Sequence, residues 1–133
     1  MIAQAANIEK KILDIKYGRV LEGLKIDIPD IDEYIRFKAG NFNLLIGHAN
    51  VGKTTIITYL FTVWAMKHNL KFLLWSSENT SSGLVRKIIE FKMGLPIQDA
   101  SDSQINNAVK WCDIHFKIIE VEDLFTYKQL LKQ

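Results

Sequence analysis

The chain has 133 residues, 48% of them apolar and 24% charged, a length and composition that suit one compact domain and exclude a disordered chain. Seventeen basic side chains against fifteen acidic ones leave a formal net charge of +2, so this chain alone carries no electrostatic case for strong nucleic-acid or membrane binding. A single cysteine, Cys112, excludes an internal disulfide.

In chain order, Ile2, Ala5, Ile8, Ile12 and Ile15 recur at intervals of three or four, which is one stripe of a helix that Gly18 can end. That helix is expected to pack on its own core, or else on a neighbouring subunit. The stretch Gly23–Gly40 holds Pro29 and the acids Asp27, Asp30, Asp32 and Glu33. Their spacing does not fit a calcium loop, and a solvated turn followed by a short helix is expected. Asn43–Ile46 is a short apolar run that reads as a buried strand. Lys53–His68 reads as a helix apolar nearly all round, with Asn69 as its C-terminal cap and Lys67 and His68 at the negative end of its dipole. Phe72–Trp75 reads as a second strand. Asn79 or Thr80 then caps a helix over Ser82–Met93, closed by Gly94 and Pro96. Ser101 or Ser103 caps another helix through about Ile114. Phe116–Val121 reads as a third strand, and Asp123 caps a last helix. This alternation predicts an α/β layered domain with a mostly parallel sheet and flanking helices.

The strongest signal is Gly47-His48-Ala49-Asn50-Val51-Gly52-Lys53-Thr54, which fits G-x-x-x-x-G-K-[ST] at every fixed position between an expected strand and an expected helix. A triphosphate concentrates negative charge, and successive backbone N–H groups ahead of a helix can bind it with no side chains in the way. Gly47 and Gly52 allow the tight curve, and Lys53 supplies a mobile cation to the β- and γ-phosphates. The Thr54 hydroxyl can ligate Mg²⁺, and Thr55 is placed to touch the α-phosphate. His48 sits inside the loop, where it can touch a neighbouring group. The expected cofactors are therefore ATP and Mg²⁺.

The second strand ends near Ser76-Ser77-Glu78. In a parallel sheet, ligands sit beyond the carboxyl ends of the strands. If the first two strands lie close and parallel, Glu78 projects to the edge that carries the loop and can orient a water toward the γ-phosphate. Spacing alone leaves the alternative open: an exposed acid beside the N-terminus of the next helix, where negative charge is favoured.

The segments Leu44–Thr55 and Phe72–Arg86 together resemble the RecA-like core of hexameric replicative helicases of the DnaB type. In that family an apolar strand leads into a serine-x-glutamate step, and a polar-capped helix bearing a leucine and an arginine follows. The corresponding residues here are Ser76, Ser77 and Glu78, then Leu84 and Arg86. The lead-in Gly23–Gly40 also resembles the family's. The resemblance implies a RecA-like P-loop NTPase core over 23–133, preceded by a helical segment over 1–22. It also implies catalytic roles for Glu78 as base and for Lys53. Ser77 and Asn79 stand where the family usually has apolar residues, which leaves open a related RecA-like ATPase of the plasmid-replication or recombination type, acting as a nucleotide-controlled assembly switch.

A strand ending in a magnesium-holding Asp is also needed in this class. Phe116–Asp123 is the one candidate. It reads either as that strand, with Asp123 as the acid, or as the short strand that precedes it in the family. The family's DNA-contacting loops and arginine finger would lie downstream of Gln133, so the chain is expected to be the front part of a longer ATPase, incomplete at its C-terminus. A homo-hexamer and single-stranded DNA are expected as partners for the intact protein only, and a third possibility is a fragment that binds nucleotide without turnover. Trp64, Trp75 and Trp111 read as core or interface, His68 and His115 as structural, and no Cys/His spacing suggests zinc. No run reaches the ~20 apolar residues of a membrane span and no signal peptide stands at the N-terminus, so the cytoplasm is the expected location.

Overall fold

The computed structural model describes residues 5–18 and 23–120. The expectations for Ile2, for Val121 to Asp123 and for the final helix lie outside them. The chain forms two compact units, Met1–Asn41 and Phe42–Gln133, where length alone suggested one.

In the first unit, α1 spans Ala5–Lys16, and Gly18 follows it at φ 63°. The helix is the one the apolar spacing predicts, but its stripe is not core: Ile12 and Ile15 are 58% and 68% exposed. Residues 23–40 close through a single antiparallel bridge, with Leu24 N donating to Phe37 O at 2.7 Å and Phe37 N to Leu24 O at 3.1 Å. The approach is so close at Gly23 that a Cβ there would lie 2.7 Å from that of Arg36. A short helix, α2 (Pro29–Asp32), starts on Pro29, whose fixed φ suits a first turn. Of the four acids expected in a solvated turn, Asp32 departs from that reading. It is buried, and its Oδ1 accepts from Ile26 N at 2.7 Å, satisfying a backbone donor that has no ladder partner.

The second unit is mixed α/β. It contains α3 (Lys53–His68), β1 (Phe72–Trp75), α4 (Ser81–Met93), a 3-10 turn at Ile97–Asp99, α5 (Asp102–His115) and β2 (Phe116–Ile119). Asn69 ends α3 in the left-handed conformation at φ 54°, and Gly94 ends α4 at φ 72°. Thr80 caps α4, its hydroxyl accepting from Gly83 N at 3.2 Å. Ser101 and Gln104 make a reciprocal capping box on α5. Glu90 Oε1 accepts from Ile97 N and from Arg86 Nε, each at 3.2 Å, and these bonds hold its carboxyl below the ordinary carboxylate range against the opposing effect of burial.

β1 and β2 pair in parallel, with Phe72 opposite Phe116 and Trp75 opposite Ile119. α4 packs on both α3 and α5. Ala65, Ile88, Ile89, Ala108, Cys112 and Phe116 form the buried centre, and Phe61, Phe72 and Leu74 pack against it. The Phe72 ring stacks on Phe61 at 4.5 Å and on Phe116 at 5.5 Å between centroids. Along β1, Phe72 and Leu74 face this core while Leu73 and Trp75 are exposed, so one face of the strand is covered and the strand is not fully buried as expected. α5 runs into β2 without a loop. His115 Nδ1 lies 2.9 Å from Leu70 O, which ties the helix end to the approach of β1. His115 and Trp64 are buried, in keeping with structural roles.

The expectation of a buried strand at Asn43–Ile46 is corrected. The segment forms no strand, and Phe42, Leu44 and Ile46 are 90%, 72% and 82% exposed. A strand requires a hydrogen-bonding neighbour. Among the described residues the sheet consists of β1 and β2, and the segment pairs with neither.

Candidate functional site

The loop that follows this segment is shaped by two positive-φ residues. Asn50 stands at φ 60° and Gly52 at φ 87°, directly before α3. At Gly52 the left-handed backbone is the glycine's natural role. Gly47 answers a different need: a Cβ there would meet Val51 Cγ2 at 3.2 Å and Lys53 Cδ at 3.4 Å. No side chain caps α3, so the N–H groups of its first turn remain available to an anion, with the positive end of the helix dipole behind them.

Lys53 folds back over the loop. Its Nζ donates to Gly47 O at 2.9 Å and to His48 O at 2.5 Å. The ammonium is thus held against the loop by two carbonyls. These are weaker partners than phosphate oxygens, whose bonds to an ammonium join two charged groups. Farther along α3, Thr58 and Thr62 turn their hydroxyls onto the carbonyls of Thr54 and Thr58. The Thr54 hydroxyl makes no hydrogen bond among the described residues and lines the cavity described next.

The end of β1 is folded by one hydroxyl. Ser76 Oγ accepts from Glu78 N at 3.3 Å, from Asn79 N at 3.0 Å and from Asn79 Nδ2 at 3.1 Å. This local turn fixes the step between β1 and α4 and holds Glu78 at the strand end. A cavity of about 620 Å³ lies between this step and the loop, lined by Ala49, Asn50, Gly52, Lys53, Thr54, Thr55, Glu78, Asn79 and Lys87. Of the residues that sequence singled out, Glu78 and six loop residues therefore share one cavity. Gly47, His48 and Val51 do not line it; the first two contribute their carbonyls to Lys53, and Val51 is largely exposed.

Sequence reading missed Asn79 and Lys87 as lining residues. The signal for Lys87 was present: it lies one turn after Gly83 and two turns after Asn79, and helix side chains lean toward the N-terminus, which is where the strand end lies. Among the described residues no group of three or more His, Cys, Asp or Glu side chains could hold a metal by itself. Magnesium does not require such a cage. It keeps several waters and takes one or two protein oxygens together with phosphate oxygens, a pattern that the Thr54 hydroxyl fits. Asp123, which sequence offers either as the magnesium-holding acid or as a helix cap, lies outside the described residues.

Among the described residues, no helix is long and apolar enough to cross a membrane. Comparison of the chain with known protein families, with curated proteins and with solved structures finds no match.

Proposed function

We propose that this chain is the ATP-binding portion of a RecA-like P-loop ATPase of the DnaB helicase type. The observation that carries the reading is the shared cavity: the Lys53–Thr54 end of the loop and the Glu78 carboxylate line one polar space of about 620 Å³, large enough for a nucleotide's phosphates. The backbone donors of the loop and of the first turn of α3 bind the phosphate chain. Lys53 leaves its two carbonyl partners for the β- and γ-phosphates. Thr54 would hold Mg²⁺ through its hydroxyl, and the ion would supply positive charge to the phosphate oxygens. Glu78, across the cavity, accepts a hydrogen bond from a water and aims it at the γ-phosphorus, and that positioning is most of what phosphoryl transfer asks of a protein. In the intact protein, a homo-hexamer on this reading, the reaction drives a motor that acts on single-stranded DNA and unwinds the duplex.

Two measurements test the proposal, each for the wild type and Glu78→Gln: equilibrium binding of Mg·ATP by this chain, and steady-state phosphate release by the intact protein. The substitution keeps the side chain's shape and removes its basicity. Binding is expected to persist, with release falling ~10²–10⁴-fold. Equal release by the two proteins would remove Glu78 from the mechanism. Binding without release from either would reduce the site to a nucleotide-binding module.

A further inference from the structure

The cavity holds a second cation that the loop motif does not account for. Lys87 stands on α4, half-buried, and lines the same space as Lys53, Thr54 and Glu78. Its neighbours on α4 explain its position. Leu84 and Ile88 are buried against the core, which fixes the rotation of the helix and leaves Lys87 at the border between core and cavity. A lysine there leans toward the N-terminus of its helix, over the residue four positions earlier. That residue is Gly83, with no side chain to obstruct the path toward Asn79 and Glu78. Among the described residues Lys87 makes no ion pair, while of the other three charges on α4, Arg86 and Glu90 are paired with each other at 3.2 Å and Lys92 lies over the Trp111 ring.

We infer that Lys87 is a second phosphate-binding cation, specific for the γ-phosphate, so that this site distinguishes nucleoside triphosphate from diphosphate. The inference rests on the nucleotide reading of the cavity. The loop residues and Lys53 line the cavity from the start of α3 and hold phosphates there, while Glu78, Asn79 and Lys87 line it from the end of β1 and from α4. The phosphate that reaches these three is the terminal one, the group whose attacking water Glu78 orients. An ammonium in the same cavity as the Glu78 carboxylate also offsets the repulsion between that carboxylate and the incoming phosphate. With two lysines and one glutamate lining the cavity, its side chains sum to +1; without Lys87 they sum to zero, facing a highly charged anion.

Calorimetric titration of the chain with Mg·ADP and with the magnesium complex of the non-hydrolysable β,γ-imido analogue of ATP tests this in the wild type, Lys87→Gln and Lys87→Arg. Lys87→Gln is expected to leave ADP affinity unchanged and to weaken the triphosphate analogue by roughly tenfold or more, the loss of one charge-assisted bond. Lys87→Arg is expected to recover most of that difference. ADP binding reports in each variant that the site is folded. Equal affinities of wild type and Lys87→Gln for the analogue, or equal losses for both nucleotides, would overturn the γ-phosphate role while leaving the nucleotide site standing. A wild-type chain that binds neither nucleotide would overturn the site reading and this inference together.

Discussion

Asn43–Ile46 and Phe72–Trp75 are two short runs of nearly the same character, each leading into a polar step. The second is a strand and the first is not. The difference lies in the rest of the chain. Phe72–Trp75 meets Phe116–Ile119 in a matched parallel register, and two of its side chains enter the core beneath α3, α4 and α5. Asn43–Ile46 meets no ladder, and its apolar side chains face solvent. Apolar runs state what a segment would bury; pairing decides whether it does.

The comparison is broken most severely by removing what β1 packs on. Phe116 is buried, stacks on Phe72 and sits opposite it in the sheet. Phe116→Ala is expected to cost about 3–5 kcal/mol in urea unfolding followed by circular dichroism. A loss below about 1 kcal/mol would mean that the β1–β2 pair is not held by this core. A smaller effect comes from the turn that carries β1 into α4. Thr80→Ala removes the cap from Gly83 N and is expected to cost about 1 kcal/mol in the same assay.

The core also has a pH signature. Burial, and secondarily the nearby Asp113 carboxylate, push the Cys112 thiol up from 9.0 to about 11. The unfolded chain therefore gives up this proton first. The contribution is fully present below pH 9 and is lost as pH rises from about 9 to about 11, a decline that Cys112→Ala is expected to lack when Tm is followed across that range. Smallest of all is the effect expected in the unpaired run. Leu45→Ser is expected to change stability by no more than about 0.5 kcal/mol, in the assay that registers the Phe116 change. A loss comparable with that of Phe116→Ala would show that the run is packed after all.

Much of this was legible in the sequence because it is local. The caps at Thr80 and Ser101, the left-handed ends at Asn69 and Gly94, and the span Lys53–His68 follow from residues within a few positions of each helix end. The shape of the Gly47–Thr55 loop is local too, since Gly52 takes a left-handed backbone and Gly47 leaves room for Val51 and Lys53. Illegible were the features that depend on distant partners. The exposed state of Asn43–Ile46, the burial of Asp32 against Ile26 N and the uncovered stripe of α1 depend on what lies across from each of them. Lys87 belongs to the same class. Its place in the cavity follows from how Leu84 and Ile88 rotate α4 on the core, which no local motif states.

The central claim is that the Gly47–Thr55 loop binds a nucleotide through Lys53. Isothermal titration of this chain with Mg·ATP, wild type against Lys53→Ala, tests it most directly. Among the described residues the ammonium bonds to the loop carbonyls of Gly47 and His48, and in the complex it would meet phosphate oxygens instead. The wild type is expected to bind, with Lys53→Ala losing most of that affinity while α3 keeps its helical signal. Equal affinities for the two proteins, or no binding by a folded wild type, would contradict the account.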